Sequence, residues 1–286
     1  MTSLPEEISI NDLPKWSQWP ARLLGAEAFE PVERNLTKIH SEYSEDKWQK
    51  CLDAYTASSE TMDAMDLRRL YYDLSSTNRR AAVKDGKLVS ATNSEIMTWY
   101  DGILMSAMTS ALMTAGTVVE LGSSFGHIMW MLRKAFPNLI YRGGDFADSA
   151  VALAAKLYAQ TPGISVEKFD FYAPSYDLIK KAKGPVVVIT SQALEQVPQS
   201  AGVVETLSKY RDKIERVFHL EPAYALYDDG SLLGLMRRRY IEINDYNRDL
   251  VSTLKHRKDI EIMRLEPNIV GWNPFNSLAL VEWRFN

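Results

Sequence analysis

The chain has 286 residues, 46% of them hydrophobic, enough to bury a full core as one large domain or two small ones. A formal net charge of −4 supplies no field for nucleic acid or an anionic membrane, and no apolar run approaches the roughly 20 residues of a membrane span. The single cysteine, Cys51, excludes an internal disulfide framework and suits a reducing cytoplasm, and the N-terminus lacks the basic and apolar regions of a signal peptide.

Residues 1 to about 34 read as irregular, punctuated by Pro5, Pro14, Pro20 and Pro31, with Trp16 and Trp19 pinning the segment to the body. Leu36, Ile39, Tyr43, Trp48, Leu52 and Tyr55 then recur at helical intervals, and a second helix is expected from Met62 to Leu74. Asp85-Gly86 between apolar residues signals a hairpin turn, and Asn93 or Ser94 is placed to cap a helix from Glu95 to about Met113. Nothing in this first third implies a parallel sheet, so residues 1–94 read as an N-terminal helical cap on a domain spanning 95–286.

Val118, Val119 and Leu121 supply a short buried strand that runs into a turn with Gly122 and Gly126, and a helix begins near Phe125. Such a unit aims free N–H groups at whatever sits over the turn, which is how open α/β sheets hold nucleotides. From there strands and helices alternate. Leu139–Arg142, Ser165–Asp170, Gly184–Thr190 and Arg216–Glu221 read as strands, Ser149–Ala159 and Ala201–Tyr210 as helices, and 231–256 as mostly helical. Ile260–Leu265 and Leu278–Trp283 close the chain as a strand pair joined by a loop with Gly271 and Pro274. Periodicity alone yields a doubly wound α/β domain.

The motif Glu120-Leu-Gly-Ser-Ser-Phe-Gly126 resembles the first motif of class I S-adenosylmethionine-dependent methyltransferases, with Ser124 in the place of the middle glycine. Gly144-Asp145-Phe-Ala-Asp-Ser149 resembles that family's second-strand acid and the helix start after it. The resemblance covers roughly Trp99 to the C-terminus. It implies a Rossmann-like, mainly parallel seven-stranded sheet ending in an antiparallel strand, and S-adenosylmethionine as cofactor with S-adenosylhomocysteine as product. Carried over, Glu120, Gly122, Ser124 and Gly126 frame the amino-acid end of the cofactor, and Asp145 takes the ribose hydroxyls. Asp170 with Phe171 meets the adenine, and Ser191 opens the segment after the fourth strand. Gln196 stands where the family often has histidine.

On the substrate side, His219 and Glu221 lie two apart on one strand, so their side chains share a face at its carboxyl end. They are the candidate catalytic pair, with His219 as general base and Glu221 orienting it or the acceptor. His219-Leu-Glu-Pro222 followed by Tyr246-Asn-Arg248 resembles bacterial sugar O-methyltransferases, which implies a glycan or other small polar acceptor. Two alternatives stay open: methylation of an aromatic or peptide-like natural product, and a methyltransferase-like binding subunit without catalysis. A homo-oligomer is compatible with all three. The four histidines show no metal-ligand spacing, so no metal site is expected. Arg237-Arg238-Arg239 reads as a solvated helix face, and Asn244, Asn247 and Arg248 as candidate partners for a polyol.

Overall fold

The structure, a computed structural model, describes residues 5–31 and 33–286. Among these residues ten strands form one sheet: β1 (Glu6–Glu7), β2 (Arg79–Lys84), β3 (Lys87–Thr92), β4 (Thr117–Leu121), β5 (Ile140–Asp145), β6 (Ile164–Lys168), β7 (Val186–Ser191), β8 (Ile214–Pro222), β9 (Ile260–Gly271) and β10 (Leu278–Phe285). Their spatial order is β1-β3-β2-β9-β10-β8-β7-β4-β5-β6. The strands β4 to β8 pair in parallel, and β10 lies antiparallel between β8 and β9. The order reverses at β4, so a cleft opens at the carboxyl ends of β4, β5 and β7.

Alternation along these strands builds two helical layers. Val118, Val187 and Phe218 pack with Leu104, Leu132 and Leu153 from the helices Asn93–Leu112, His127–Ala135 and Asp148–Leu157. Val119, Val188 and Val217, each offset by one residue, pack with Val203 and Leu254 from the helices Ala201–Ser208 and Leu250–His256. A third cluster joins Leu13, Val83, Tyr240 and Phe275 under the helix Leu232–Ile243.

The sheet has ten strands where the resemblance implied seven. The three extra strands come from the first third of the chain, read from sequence as an irregular start followed by helices, with a turn at Asp85-Gly86. That turn forms, and β2 and β3 pair across it from Arg79↔Thr92 to Lys84↔Lys87. The hairpin then docks on β9 through Val83↔Gly271 and Lys84↔Val270, with Asp85 N donating to Ile269 O and Gly86 N to Asn268 O. β9 continues to Gly271 instead of ending near Leu265: β10 pairs with it at Glu266 and Val270, and β2 adds ladder partners at Val270 and Gly271. The helix at 93 is capped by Thr92 rather than by Asn93 or Ser94, in a reciprocal arrangement with Glu95. Upstream lie the helices Leu36–Ile39, Trp48–Ala57 and Ala64–Tyr71, with His40–Lys47 wound as a π-helix between the first two. Of the two N-terminal tryptophans, Trp19 packs against Phe29 and Tyr240 as expected, while Trp16 stays 39% exposed.

Candidate functional site

The turn after β4 is held in a conformation that its residue types permit. Gly122, Ser124 and Gly126 all adopt positive φ, at 77°, 49° and 83°. Gly122 is required for a second reason: a Cβ there would overlap the Cβ of Ala193, where the loop after β7 crosses the turn. Asp145, at the end of β5, ties the turn to its own strand. Its Oδ2 accepts from Ser124 N at 2.6 Å and its Oδ1 from Ala147 N at 2.9 Å. Burial raises the Asp145 carboxyl to about 6, against the lowering effect of those two N–H groups.

The turn, Asp145 and the loops after β6 and β7 enclose a cavity of ≈ 260 Å³. Glu120, Gly122, Ser124, Asp145, Asp170, Phe171 and Ser191 all line it. Gly126 sits behind the wall as the residue that opens the helix His127–Ala135. The strand β6 ends at Lys168, so Asp170 and Phe171 stand on the turn beyond it, with Asp170 Oδ1 accepting from Tyr172 N at 2.8 Å. Four buried polar atoms of lining residues have no protein partner: Glu120 Oε2, Ser124 Oγ, His127 Nδ1 and Gln196 Oε1. Burial, with Asp145 nearby, lifts the Glu120 carboxyl well above the usual carboxylate range, and burial holds His127 neutral.

The opposite wall comes from residues that the motifs did not single out. Tyr43 and Trp48 belong to the π-helical strap and the helix after it, and Tyr71 and Tyr72 to the end of the next helix. Tyr100 lines the cavity from the helix Asn93–Leu112 and shares a 2.6 Å hydrogen bond with Ser191 Oγ. The strap is fastened at two points, Ser44 and Glu42. Ser44 Oγ accepts from Asp148 N at 3.0 Å. Arg34 donates to Glu42 at 2.6 Å, to Asn244 O at 3.2 Å and to the Tyr246 hydroxyl at 3.2 Å. Helical spacing marked Tyr43 and Trp48 as helix-face residues; nothing local marks such an aromatic as one that faces a cavity.

His219 and Glu221 do share a face of β8, but it is the face turned toward the helices Ala201–Ser208 and Leu250–His256, the same side as Val217. Neither residue lines the cavity. His219 is 0% exposed, and both ring nitrogens are engaged: Trp283 Nε1 donates to Nε2 at 2.9 Å, and Nδ1 pairs with Thr190 Oγ1 at 2.8 Å. Because an indole N–H can only donate, Nε2 is the acceptor and Nδ1 carries the proton. Burial depresses His219 to about 3. A fully buried residue with no free ring nitrogen and no place on the cavity wall does not fit a general base, so His219 has a structural role instead of the expected catalytic one. Glu221 accepts backbone N–H groups from Ala193, Leu194 and Glu195 at 3.1, 3.0 and 3.2 Å, and burial raises it to about 8. It shapes the loop after β7 rather than orienting His219.

Other clusters dissolve into separate contacts. Arg237 is buried and donates to Pro274 O, Arg238 to Tyr227 O, and Arg239 faces Glu242, so the three arginines form no common patch. Asn247 holds Val197 O and Leu250 N, and Asn244 holds Tyr240 O. Among the described residues, no group of three or more His, Cys, Asp or Glu side chains is placed to hold a metal ion, and no helix is long and apolar enough to cross a membrane.

No family model matches the sequence, and no curated protein does. Solved structures similar in fold include magnesium protoporphyrin IX methyltransferase from Synechocystis PCC 6803 with bound SAH, 12% identical, covering 68% of this chain and 87% of that chain at a TM-score of 0.47. The plantazolicin methyltransferase BpumL with SAH is 13% identical, covering 87% of this chain and 99% of that chain at a TM-score of 0.46. The O-methyltransferase NcsB1 from neocarzinostatin biosynthesis, with S-adenosylmethionine and a naphthoic acid, is 15% identical, covering 65% and 57% at a TM-score of 0.40.

Proposed function

We propose that this chain is an S-adenosylmethionine-dependent methyltransferase acting on a hydroxyl of a small polar molecule, a sugar or glycan unit being the first candidate. The observation that carries the reading is the convergence of the glycine turn and Asp145 on one cavity whose wall includes the unpartnered buried atoms Glu120 Oε2 and Ser124 Oγ. Unpaired buried polar atoms are costly, so a cavity that keeps them is matched to a polar ligand. A carboxyl group at Glu120 and a hydroxyl at Ser124 suit the amino-acid end of S-adenosylmethionine, Asp145 suits the ribose, and Asp170 with Phe171 suits the adenine. When bound, that cofactor supplies a methyl group already activated by a sulfonium. The work left to the protein is to hold an acceptor in line, exclude water and receive a proton.

The aromatic wall serves the exclusion of water. Tyr43, Trp48, Tyr72 and Tyr100 come from residues outside the cofactor motifs, and all line the cavity. We assign the segment 1–94 the part of a wall over the cofactor domain 95–286, with the β2–β3 hairpin shared between them. The same aromatic wall favours a second reading, in which the acceptor is an aromatic or peptide-like natural product. A buried, single cysteine fits a reducing cytoplasm.

Calorimetric titration with S-adenosylmethionine and S-adenosylhomocysteine tests the core of the proposal. Saturable binding of both is expected, and a folded protein that binds neither would sink it. Transfer of a labelled methyl group to glycosides and to phenols in parallel then separates the two acceptor readings, and binding without any transfer points to the non-catalytic subunit.

A further inference from the structure

Of the carboxylates on the cavity wall, Glu195, in the single-turn helix Leu194–Gln196 after β7, is the one with no expected place against the cofactor. Its Oε1 accepts from Gln196 Nε2 at 2.9 Å and its Oε2 from Asn276 Nδ2 at 3.0 Å. A carboxylate only accepts, so these bonds fix both amides with nitrogen toward Glu195 and oxygen away, whatever an amide flip would otherwise allow. Gln196 Oε1 and Asn276 Oδ1 are left as buried acceptors without a donor. Gln196, like Glu195, lines the cavity. Gln196 Oε1 therefore leaves an unpaired acceptor on the wall beside the Glu195 carboxylate, which suits a ligand that brings hydroxyl or amine donors.

The turn that carries Glu195 is rigid. Glu221 gathers the backbone N–H groups of 193–195, and Glu195 O accepts from Asn247 N at 2.9 Å. Ala193, two residues before Glu195, comes against the glycine turn at Gly122, so the loop that carries Glu195 is packed on the turn, and Glu195 lines the same cavity as Gly122 and Ser124. Each carboxylate oxygen has a second lone pair, and the two amide bonds leave capacity for a substrate donor.

We propose that Glu195 is the catalytic base, and that with Gln196 Oε1 it selects an acceptor presenting at least two hydrogen-bond donors, one of which is methylated. The proposal rests on the methyltransferase reading. In the step it describes, the acceptor oxygen forms a bond to the methyl carbon as that carbon's bond to sulfur breaks. The electron pair leaves on sulfur to give a neutral thioether, and the hydroxyl proton passes to a Glu195 oxygen. The groups facing Glu195 are Glu221 from β8, Arg34 and Lys47 from the strap side, and the phenols of Tyr43, Tyr227, Tyr240 and Tyr246. Burial raises the carboxyl, against the lowering effect of Asn276 and Gln196, which strengthens it as a base.

The test needs no known acceptor. A carboxylate beside the transferring methyl favours the cationic sulfonium of S-adenosylmethionine over the neutral S-adenosylhomocysteine once it ionises. Affinities for both are measured by calorimetry between pH 5.5 and 8.5 for wild type, Glu195→Gln and Glu195→Asp, with thermal melting to establish folding. In wild type the ratio of the two affinities should rise with pH by on the order of tenfold, the equivalent of one pKa unit. Glu195→Gln should lose most of that rise, and Glu195→Asp should keep part of it. An unchanged, equally pH-dependent ratio in Glu195→Gln overturns the proposal. If the Gln variant does not fold, a pH-independent ratio in Glu195→Asp overturns it and a retained rise supports it. Failure of wild type to bind either compound overturns the methyltransferase reading instead.

Discussion

The carboxyl ends of β4 and β5 deliver Glu120 and Asp145 into the cavity, whereas β8, two strands along, delivers His219 and Glu221 into the helical layer on the other face. On β7, between them, the division falls within two adjacent residues. Ser191 lines the cavity and meets Tyr100, while Thr190 turns away to His219. Reaching the right end of a parallel sheet is thus only half of a site. Which of two alternating faces a residue occupies decides whether it can touch a ligand, and an offset of one residue reverses the answer.

The largest loss is expected at Gly122, where the two loops meet. A side chain there must overlap Ala193 and adopt a φ of 77°, so Gly122→Val should cost more than about 3 kcal/mol, combining overpacking with backbone strain. Thermal melting with and without S-adenosylhomocysteine is the check. A variant that melts and binds like wild type would mean the two loops do not cross as described.

Asp145 comes next. Asp145→Asn should weaken S-adenosylmethionine binding by roughly 1.5–3 kcal/mol, the range for a hydrogen bond to a charged group, while the protein stays folded. Asp145 also accepts Ser124 N and Ala147 N, so part of that loss will reflect a loosened turn. Unchanged affinity on titration would remove Asp145 from the cofactor site.

These two positions were legible because their constraint is local. A glycine turn after a β-branched strand, and an acid at the end of the next strand, need only a strand–turn–helix unit to acquire meaning. The docking of the Asp85-Gly86 hairpin on β9 was not legible, since its partners lie about 185 residues downstream, at Asn268 and Ile269. His219 shows the same limit. Its shared face with Glu221 follows from spacing, but which layer covers that face depends on where the helices of 201–208 and 250–256 pack. Tyr43 and Trp48 had the periodicity of helix-face residues, and only the fold places them over a cavity.

On the other face of the sheet, His219→Asn should cost about 1–3 kcal/mol of stability at pH 7 while leaving S-adenosylhomocysteine affinity close to wild type. The sign of its pH dependence follows from burial. The folded value of about 3 lies below the ordinary 6.5, so the unfolded state binds more protons between those values and His219 makes wild type lose stability as pH falls through them. An Asn cannot take up that proton. The gap between wild type and variant should therefore narrow by about 2 kcal/mol between pH 7 and pH 5 in chemical denaturation. A gap that stays constant would mean His219 is not held neutral, and reopen its candidacy as a base.

The smallest expected effect concerns the strap that closes the cavity on the Asp145 side. Arg34 couples it to the loop after the helix Leu232–Ile243: its guanidinium reaches Glu42, Asn244 O and Tyr246, stacks 4.8 Å over the Tyr246 ring, and its own N–H donates to Asp245 Oδ2 at 3.2 Å. Both joined segments carry cavity residues, Tyr43 on one side and Tyr246 on the other. Arg34→Met keeps the apolar stem and removes the planar fork, so packing should survive while the latch does not. Arg34→Lys restores a charge but not the three-way geometry, and should recover only part of the function. Because the strap is also fastened through Ser44 to Asp148 and Ser149, its loss at one point should speed release of S-adenosylhomocysteine by only a few-fold, roughly 3–10-fold, with little change in melting temperature. Stopped-flow tryptophan fluorescence can follow that release, since Trp48 lines the cavity. A release rate equal to wild type in Arg34→Met would show that the strap does not gate the cavity, and that the aromatic wall is fixed from the start.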